Sequence, residues 1–411
     1  MSHSRLHLFQ GYGVELEYMI VDQETLKVRP ISDEVLKAEL GHFGSDVENG
    51  MVTWSNELVL HVLELKSTSP ESDFLKLNMA LHENILKINS ILDQWNAKLM
   101  PSATHPFMNP YADTKLWPHD GHEIYAAYDL LFDCKGHGWS NLQSTHLNLP
   151  FYDDEEFAKL HAAIRLVLPI LPALCASSPI MEGKITGLAD TRLDYYKSNQ
   201  KNIPSIVGKV IPEALFSKRK YTSFIYEKIK TDLEGYPLKV KLNPVWVNSR
   251  GAIARFDRGS IEIRLMDCQE SPLVDLSILF LVTETIKALV SGKFIEFENQ
   301  KKCKTQFLSD ILNRVIQEGD KAVVNEEEFL RAFGIRDKNC TALEMWERIF
   351  YTLEISEEFS PFSAVLKFIF KAGNLSSRII HAYKREISPE NMESIYHELC
   401  VSLKENKIFN P

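Results

Sequence analysis

The chain has 411 residues, 45% of them hydrophobic and 25% charged, with a formal net charge of −10. This is the profile of a folded globular protein, long enough for one large domain or a core with an appended one. The negative charge argues against a nucleic-acid binder, whose phosphate contacts need clustered Lys and Arg, but it leaves room for an anionic small substrate in a cleft where metals or local cations reverse the sign.

The opening "MSHSRLHLFQ" has no apolar stretch of signal-peptide length. Residues 11–22, "GYGVELEYMIVD", read as a strand rich in Val, Ile and Tyr. Side chains two apart in a strand share a face, so Glu15 and Glu17 stand side by side. Two close carboxylates repel, and burial sharpens the repulsion; a bound cation relieves it, and a solvated face is the plainer alternative. Residues 51–68, "MVTWSNELVLHVLELKST", are extended and hold Glu57 and Glu64. A spacing of seven puts both at one site only if the chain bends or bulges; His61 between them is a rival ligand, and the alternative leaves Glu57 in a turn and Glu64 in solvent. Ser69–Pro70 reads as a helix start, followed by Phe74, Leu77, Leu81, Ile85, Ile88, Leu92 and Trp95 at helical spacing.

Further strands are expected at 143–151 and 259–267, and helices at 154–175, interrupted by Pro169 and Pro172, and at 272–290. The strand "QSTHLNLPF" places His146 and Asn148 on one face, and "GSIEIRLMD" does the same for Glu262 and Arg264, which could also simply pair. The apolar run "LVDLSILFLVTETIKALV" carries Asp275, Glu284 and Lys287, which suits a packed helix better than a membrane span. Beyond about residue 305 the pattern is helical, with amphipathic periods near 306–317, 342–354 and 363–371. The six cysteines lie far apart without a CxxC pair, as reduced buried thiols of a cytoplasmic protein would. Strands and helices intersperse without a βαβ rhythm, which predicts an α+β fold with helices on one face of a largely antiparallel sheet.

Carboxylates with one His suit Mg²⁺ or Mn²⁺ better than Zn²⁺. Neither a GxxxxGK[ST] loop nor a GxGxxG turn is present, so ATP, if bound, is held through metals and arginines.

Seven stretches, "GVELEYMIVD", "ELVLHVLELKST", "SATHPF", "STHLNLP", "LCASSPI", "TGLADTR" and "GSIEIRLMD", occur in one order. In that order the sequence resembles the glutamate–cysteine ligase type 2 family of carboxylate–amine ligases; "GNLSSRIIHAY" fits more loosely. The resemblance implies a glutamine-synthetase-like fold: a curved, largely antiparallel sheet forming an active-site channel, with helices packed outside. It implies a single catalytic domain over 1–411, with core strands over about 11–290 and a mainly helical part over about 291–411. It also implies metal ligation by Glu15, Glu17, Glu57, Glu64, His146 and Glu262. Glu57 stands where the family often has Asp, and Asn148 where it often has a second His. Arg264 would contact the transferred phosphate, with Arg255 or Arg258 as a second catalytic arginine near it. His105, Arg192, Asn148 and Arg250 are substrate-side candidates, and the Lys-rich segment 197–224 would close over the nucleotide.

The implied activity is ATP-dependent amide formation from an amino-acid carboxylate and an amine through an acyl phosphate, with ATP and Mg²⁺ or Mn²⁺ required and no nucleic acid or membrane involved. ATP-dependent phosphoryl transfer or hydrolysis on the same fold, and a nucleotide- or metal-binding regulator, are the rival readings. The identity of acid and amine, and a homo-oligomeric state, stay open.

Overall fold

The computed structural model describes residues 5–355 and 360–411. Its centre is an antiparallel sheet of eight strands: β1 (Gly13–Asp22), β2 (Asp46–Asn49), β3 (Val52–Asn56), β4 (Val62–Ser67), β5 (Ala97–Met100), β6 (Ser144–Pro150), β7 (Ala252–Arg255) and β8 (Ser260–Asp267). The spatial order is β2-β3-β4-β1-β6-β8-β7. On its other edge β1 pairs first with β6, Glu15 opposite His146, and then with β5, Met19 opposite Met100. The sheet is open, not a closed barrel, and its connections follow the antiparallel expectation.

The alternation of β1 decides how the sheet is used. Val14, Leu16, Tyr18 and Ile20 are wholly buried on one face, while Glu15 and Glu17 point to the other. The apolar face is covered by α1 (Phe74–Leu92), α2 (Asp154–Val167) and α3 (Pro272–Val290). α3 is buried almost all round and packs on α1, α2 and the helix α4 (Ser360–Ala372), as its charge-poor sequence predicts. The stretch 154–175 is long and apolar enough to span a membrane by length and composition, and 94% of its window is buried within the molecule. At Pro169 it tightens into a 3-10 turn over Leu168–Ile170, since proline removes a helical donor.

Two expectations are corrected. The helix α1 starts at Phe74, not at Ser69–Pro70: Asp73 is the cap, accepting from Leu75 N and Lys76 N, while Glu71 is still paired with Tyr12 in extended structure. The strands β2, β5 and β7, each four residues long, lie outside the segments read as extended from sequence. Beyond residue 305 the helices Thr305–Glu318, Ala342–Leu353 and α4 fall where their periodicity predicts. The largest apolar cluster takes in residues from the strands and from these helices alike. All six cysteines are free and buried.

Candidate active site

The polar face of the sheet gathers its acidic residues through register. Glu17 lies opposite Glu64 of β4, Glu64 opposite Ser55 of β3, Glu15 opposite Lys66 and His146, and Glu262 opposite Asn148. The seven-residue spacing of Glu57 and Glu64 is explained by the β3–β4 connection. Glu57 sits just past β3, in the turn, and Glu64 is in the returning strand, so both reach one cavity. Glu57 is therefore in a turn, but Glu64 is buried and not in solvent. His61, the rival ligand, is fully buried with its Nε2 on Ser140 O at 2.7 Å, and burial pushes its pKa down to about 4.

The cavity has a volume of about 510 Å³. Glu17, Glu57, Glu64, His146, Arg192 and Arg264 line it together, with Lys66 and Asp46 on one flank and Tyr125, Tyr128 and Trp139 as an aromatic wall. Beside it, ligand atoms of Glu15, His146 and Glu262 all lie within 4.8 Å of one another. His146 Nδ1 meets Glu15 Oε2 at 2.9 Å and its Nε2 meets Ser144 Oγ at 2.9 Å. Glu17 Oε2 accepts from the Ser144 N–H at 2.8 Å and its hydroxyl at 3.1 Å. Asn148 Nδ2 donates to Glu15 Oε1 at 3.0 Å. Gly13 faces Asn148 across the sheet, where a Cβ would sit 3.0 Å from Asn148 Cβ, so the strand's glycine makes room for this contact.

Arg264 is placed by a bulge. The β8–β6 register shifts between Ile263 and Met266, so Arg264 and Leu265 together oppose His146. The Arg264 N–H donates to Gly251 O at 3.0 Å, and its Nε stands 3.0 Å from Glu262 Oε1. The pair anticipated from sequence thus exists, with the guanidinium still at the cavity. Arg192 is held by Asp267 Oδ1 at 3.3 Å and by Arg264 O at 2.9 Å.

Electrostatics mark the acidic group as short of positive charge. Burial pushes Glu57 up to about 7, reinforced by the Glu17 carboxylate. Burial, with the charges of Glu15 and Glu57, holds Glu64 well above the carboxylate range. Burial also acts on Glu15, but there the hydrogen bond and charge of His146, with Arg264 and Lys66, win and hold it at about 2. His146 is desolvated, yet Glu15 and Glu17 raise its pKa. At an effective dielectric near 20, two unit charges about 4 Å apart interact by about 4 kcal/mol. A divalent cation among these oxygens and one imidazole would supply what they lack, and oxygen-rich donor sets of this kind suit Mg²⁺ or Mn²⁺.

The remaining sequence candidates separate. Arg255 Nη1 reaches Glu262 Oε2 at 3.4 Å and also pairs with Asp257, so it borders the metal-type cluster. Arg258 is exposed in the turn between β7 and β8. His105 does not line the cavity: it is buried, Nε2 on Leu26 O at 2.7 Å and Nδ1 accepting from Phe107 N, so it holds the turn at Pro106. Arg250 clamps Glu213 with two bonds, at 2.6 and 2.8 Å, and also donates to Ser205 O. That clamp fixes the Lys-rich segment, whose Ile203, Ile206, Val207, Val210 and Ile211 are buried. The segment is packed into the molecule, and Asn199 and Gln200 are its residues at the cavity. Sequence reading missed these two, along with Lys66, Asp46, Ser144 and the aromatic wall. Lys66 was within reach, because strand alternation puts it on the same face as Glu64, two residues earlier.

The sequence matches the model of the glutamate-cysteine ligase family 2 over residues 12–398. The chain belongs to this family. It is 34% identical over 401 residues to an uncharacterized protein of Archaeoglobus fulgidus, covering 97% of this chain and 99% of the other. Several further curated relatives match over about half of their own length. Among solved structures, the bifunctional glutathione synthetase of Pasteurella multocida aligns with a TM-score of 0.65 at 13% identity, over 97% of this chain and 53% of that one. The glutamate–cysteine ligase of Francisella tularensis, in complex with AMP, aligns with a TM-score of 0.59 at 12% identity, over 96% and 88%. These two likenesses establish a shared fold.

Proposed function

We propose that the chain is an ATP-dependent carboxylate–amine ligase that forms an amide through an acyl phosphate. One observation carries the reading: Glu17, Glu57, Glu64 and His146 line a single cavity with the arginines Arg192 and Arg264, and Glu15 and Glu262 join His146 in a cluster of ligand atoms directly beside it. Family membership and the AMP-bound Francisella relative of the same fold support it. In the proposed reaction a substrate carboxylate oxygen attacks the γ-phosphorus of ATP and ADP leaves. An amine then attacks the acyl carbon, phosphate leaves with that oxygen, and the amine's proton is released.

Glu15, His146 and Glu262, with Glu17, Glu57 and Glu64 beside them, would hold Mg²⁺ or Mn²⁺. A cation held there would neutralise charge on phosphoryl oxygens. The chain's own part is positional. Arg264, oriented by Glu262, presents a guanidinium to the equatorial oxygens of the transferred group. Arg192, fixed by Asp267, adds a second positive charge. The wall of Tyr125, Tyr128 and Trp139 screens the acyl phosphate from water.

The test is ADP release with Mg²⁺, glutamate and a panel of amino acids and small amines, with each acid and amine also supplied alone. A requirement for both partners is expected. ADP release with acid alone would favour phosphoryl transfer instead.

A further inference from the structure

Two of the cations that line the cavity, Arg192 and Arg264, are oriented by Asp267 and Glu262. A third, Lys66, is held by the acidic residues of the cavity wall themselves. Its Nζ donates to Asp46 Oδ1 at 3.1 Å and stands 3.4 Å from Glu64 Oε2. These are its partners among the described residues, so one of its three ammonium donors is uncommitted. The Lys66 side chain is 34% exposed, against 10% for Glu64, so the head is at the open side of the pair. Asp46 is the fixed end of this arrangement, because its Oδ1 also accepts from the Ser55 hydroxyl at 2.6 Å.

Strand pairing does not impose the contact with Glu64. Asp46, Ser55, Glu64 and Glu17 form one row across the polar face. Lys66, Glu15 and His146 form the next, with Arg264 at the bulge beyond. Residues two apart in a strand are separated by about 7 Å. Lys66 belongs by backbone to the Glu15 row, and its flexible stem carries the head into the Glu64 row. In its own row Lys66 stands on one side of Glu15 and His146, and Arg264 on the other. A divalent cation taken up by Glu64 would compete with the ammonium for the same carboxylate, and the two positive charges would repel.

We propose that Lys66 is a partner-exchanging cation: a divalent cation that takes Glu64 releases the ammonium, which then binds an oxyanion of the substrates, a phosphoryl or carboxylate oxygen, while Asp46 keeps its hold. Lys66 is then a substrate-binding residue whose availability depends on the metal, and metal uptake and oxyanion binding strengthen one another through it. The inference deepens the ligase reading and rests on the metal site of that reading.

Calorimetry on the full chain tests this at about pH 8, where protons compete least for the carboxylates. The probes are Mg²⁺ alone, and adenylyl imidodiphosphate and L-glutamate, each in Mg²⁺ and in EDTA. Lys66→Met keeps the stem and removes the charge. It should bind Mg²⁺ alone about tenfold more tightly, because Glu64 loses its competitor. In the unaltered chain Mg²⁺ should tighten at least one of the two ligands, and in Lys66→Met that tightening should shrink by about tenfold. Complexation of Mg²⁺ by the nucleotide analogue in solution is common to both proteins and cancels. The analogue reports a phosphoryl oxygen at Lys66, and glutamate a carboxylate. A charge fixed in place would weaken a ligand equally in Mg²⁺ and in EDTA, and a merely structural ion pair would weaken metal and ligand together. Lys66→Gln serves if the Met variant does not fold. The proposal is overturned by a Mg²⁺-induced tightening that is the same in the variant for both ligands, or by Mg²⁺ binding that is unchanged or weaker in the variant. Absence of Mg²⁺ binding to the unaltered chain overturns it together with the metal site of the ligase reading. The predicted loss of coupling without ADP formation from any acid and amine would sink the ligase reading and leave the role of Lys66 standing.

Discussion

The two faces of β1 obey the same alternation and do opposite things. On one, Val14, Leu16, Tyr18 and Ile20 are sealed against helices with no exposure at all. On the other, Glu15 and Glu17 join Glu57, Glu64 and Glu262 in a partly buried acidic field whose charges are incompletely compensated by His146, Arg264 and Lys66. The apolar face holds the fold together, and the acidic face works against it in return for a site. Stability and activity should therefore respond oppositely to changes on neighbouring residues of one strand.

The sharpest way to break that contrast is at adjacent positions. Glu15→Gln should lower kcat/KM by ~10³-fold or more, about 4 kcal/mol of transition-state stabilisation, while leaving the melting temperature within a few degrees. Leu16→Ala, one residue on, should lose about 2–5 kcal/mol in urea unfolding through the cavity it leaves, with kcat/KM per folded molecule nearly unchanged. If both variants lose activity and stability together, the division between faces fails.

Acidity sharpens the comparison further. Glu57 is lifted to about 7 by burial and by Glu17, so without cation its neutral form is favoured in the fold. A raised carboxylate contributes stability that is present below its unfolded pKa and is lost as pH rises through the folded one. In chelator, stability should therefore fall between about pH 4.5 and 7.5 on account of this group. A divalent cation displaces this proton and those held by Glu64 and His146, so its affinity should rise with pH from about 4.5 through neutrality. Glu15, held at about 2, adds an opposing slope only at the acid end of that range, below about pH 5.5. Mg²⁺-induced shifts in melting temperature at pH 5.5 and 8 check this, with the larger shift expected at pH 8.

The smallest expected effect lies at the clamp outside the cavity. Arg250→Lys keeps a charge but loses the bidentate grip on Glu213. It should cost about 1–3 kcal/mol of stability with only a few-fold change in kcat/KM, measured by denaturation and initial rates.

The acidic face was legible in sequence because strand alternation is a local rule. Glu15 and Glu17, His146 and Asn148, and Glu262 each announce their face within a few residues. What strand alternation alone does not show depends on long-range geometry. Glu57 and Glu64 converge through a hairpin, and Arg264 is aimed by a bulge that periodicity cannot show. Asn199 and Gln200 sit in a segment without period, so only the fold brings them to the cavity. His105 and Arg250 show the converse: a motif marks the residue, and burial with saturated hydrogen bonds makes it a structural support.

The central claim is that the acid is activated as an acyl phosphate before the amine attacks. It is tested most directly by supplying the acid with ¹⁸O in its reacting carboxylate, together with ATP, Mg²⁺ and the amine identified by ADP release, and analysing the phosphate by mass spectrometry. The account predicts one labelled oxygen in each inorganic phosphate released. Amide formed at the same rate with unlabelled phosphate would contradict it.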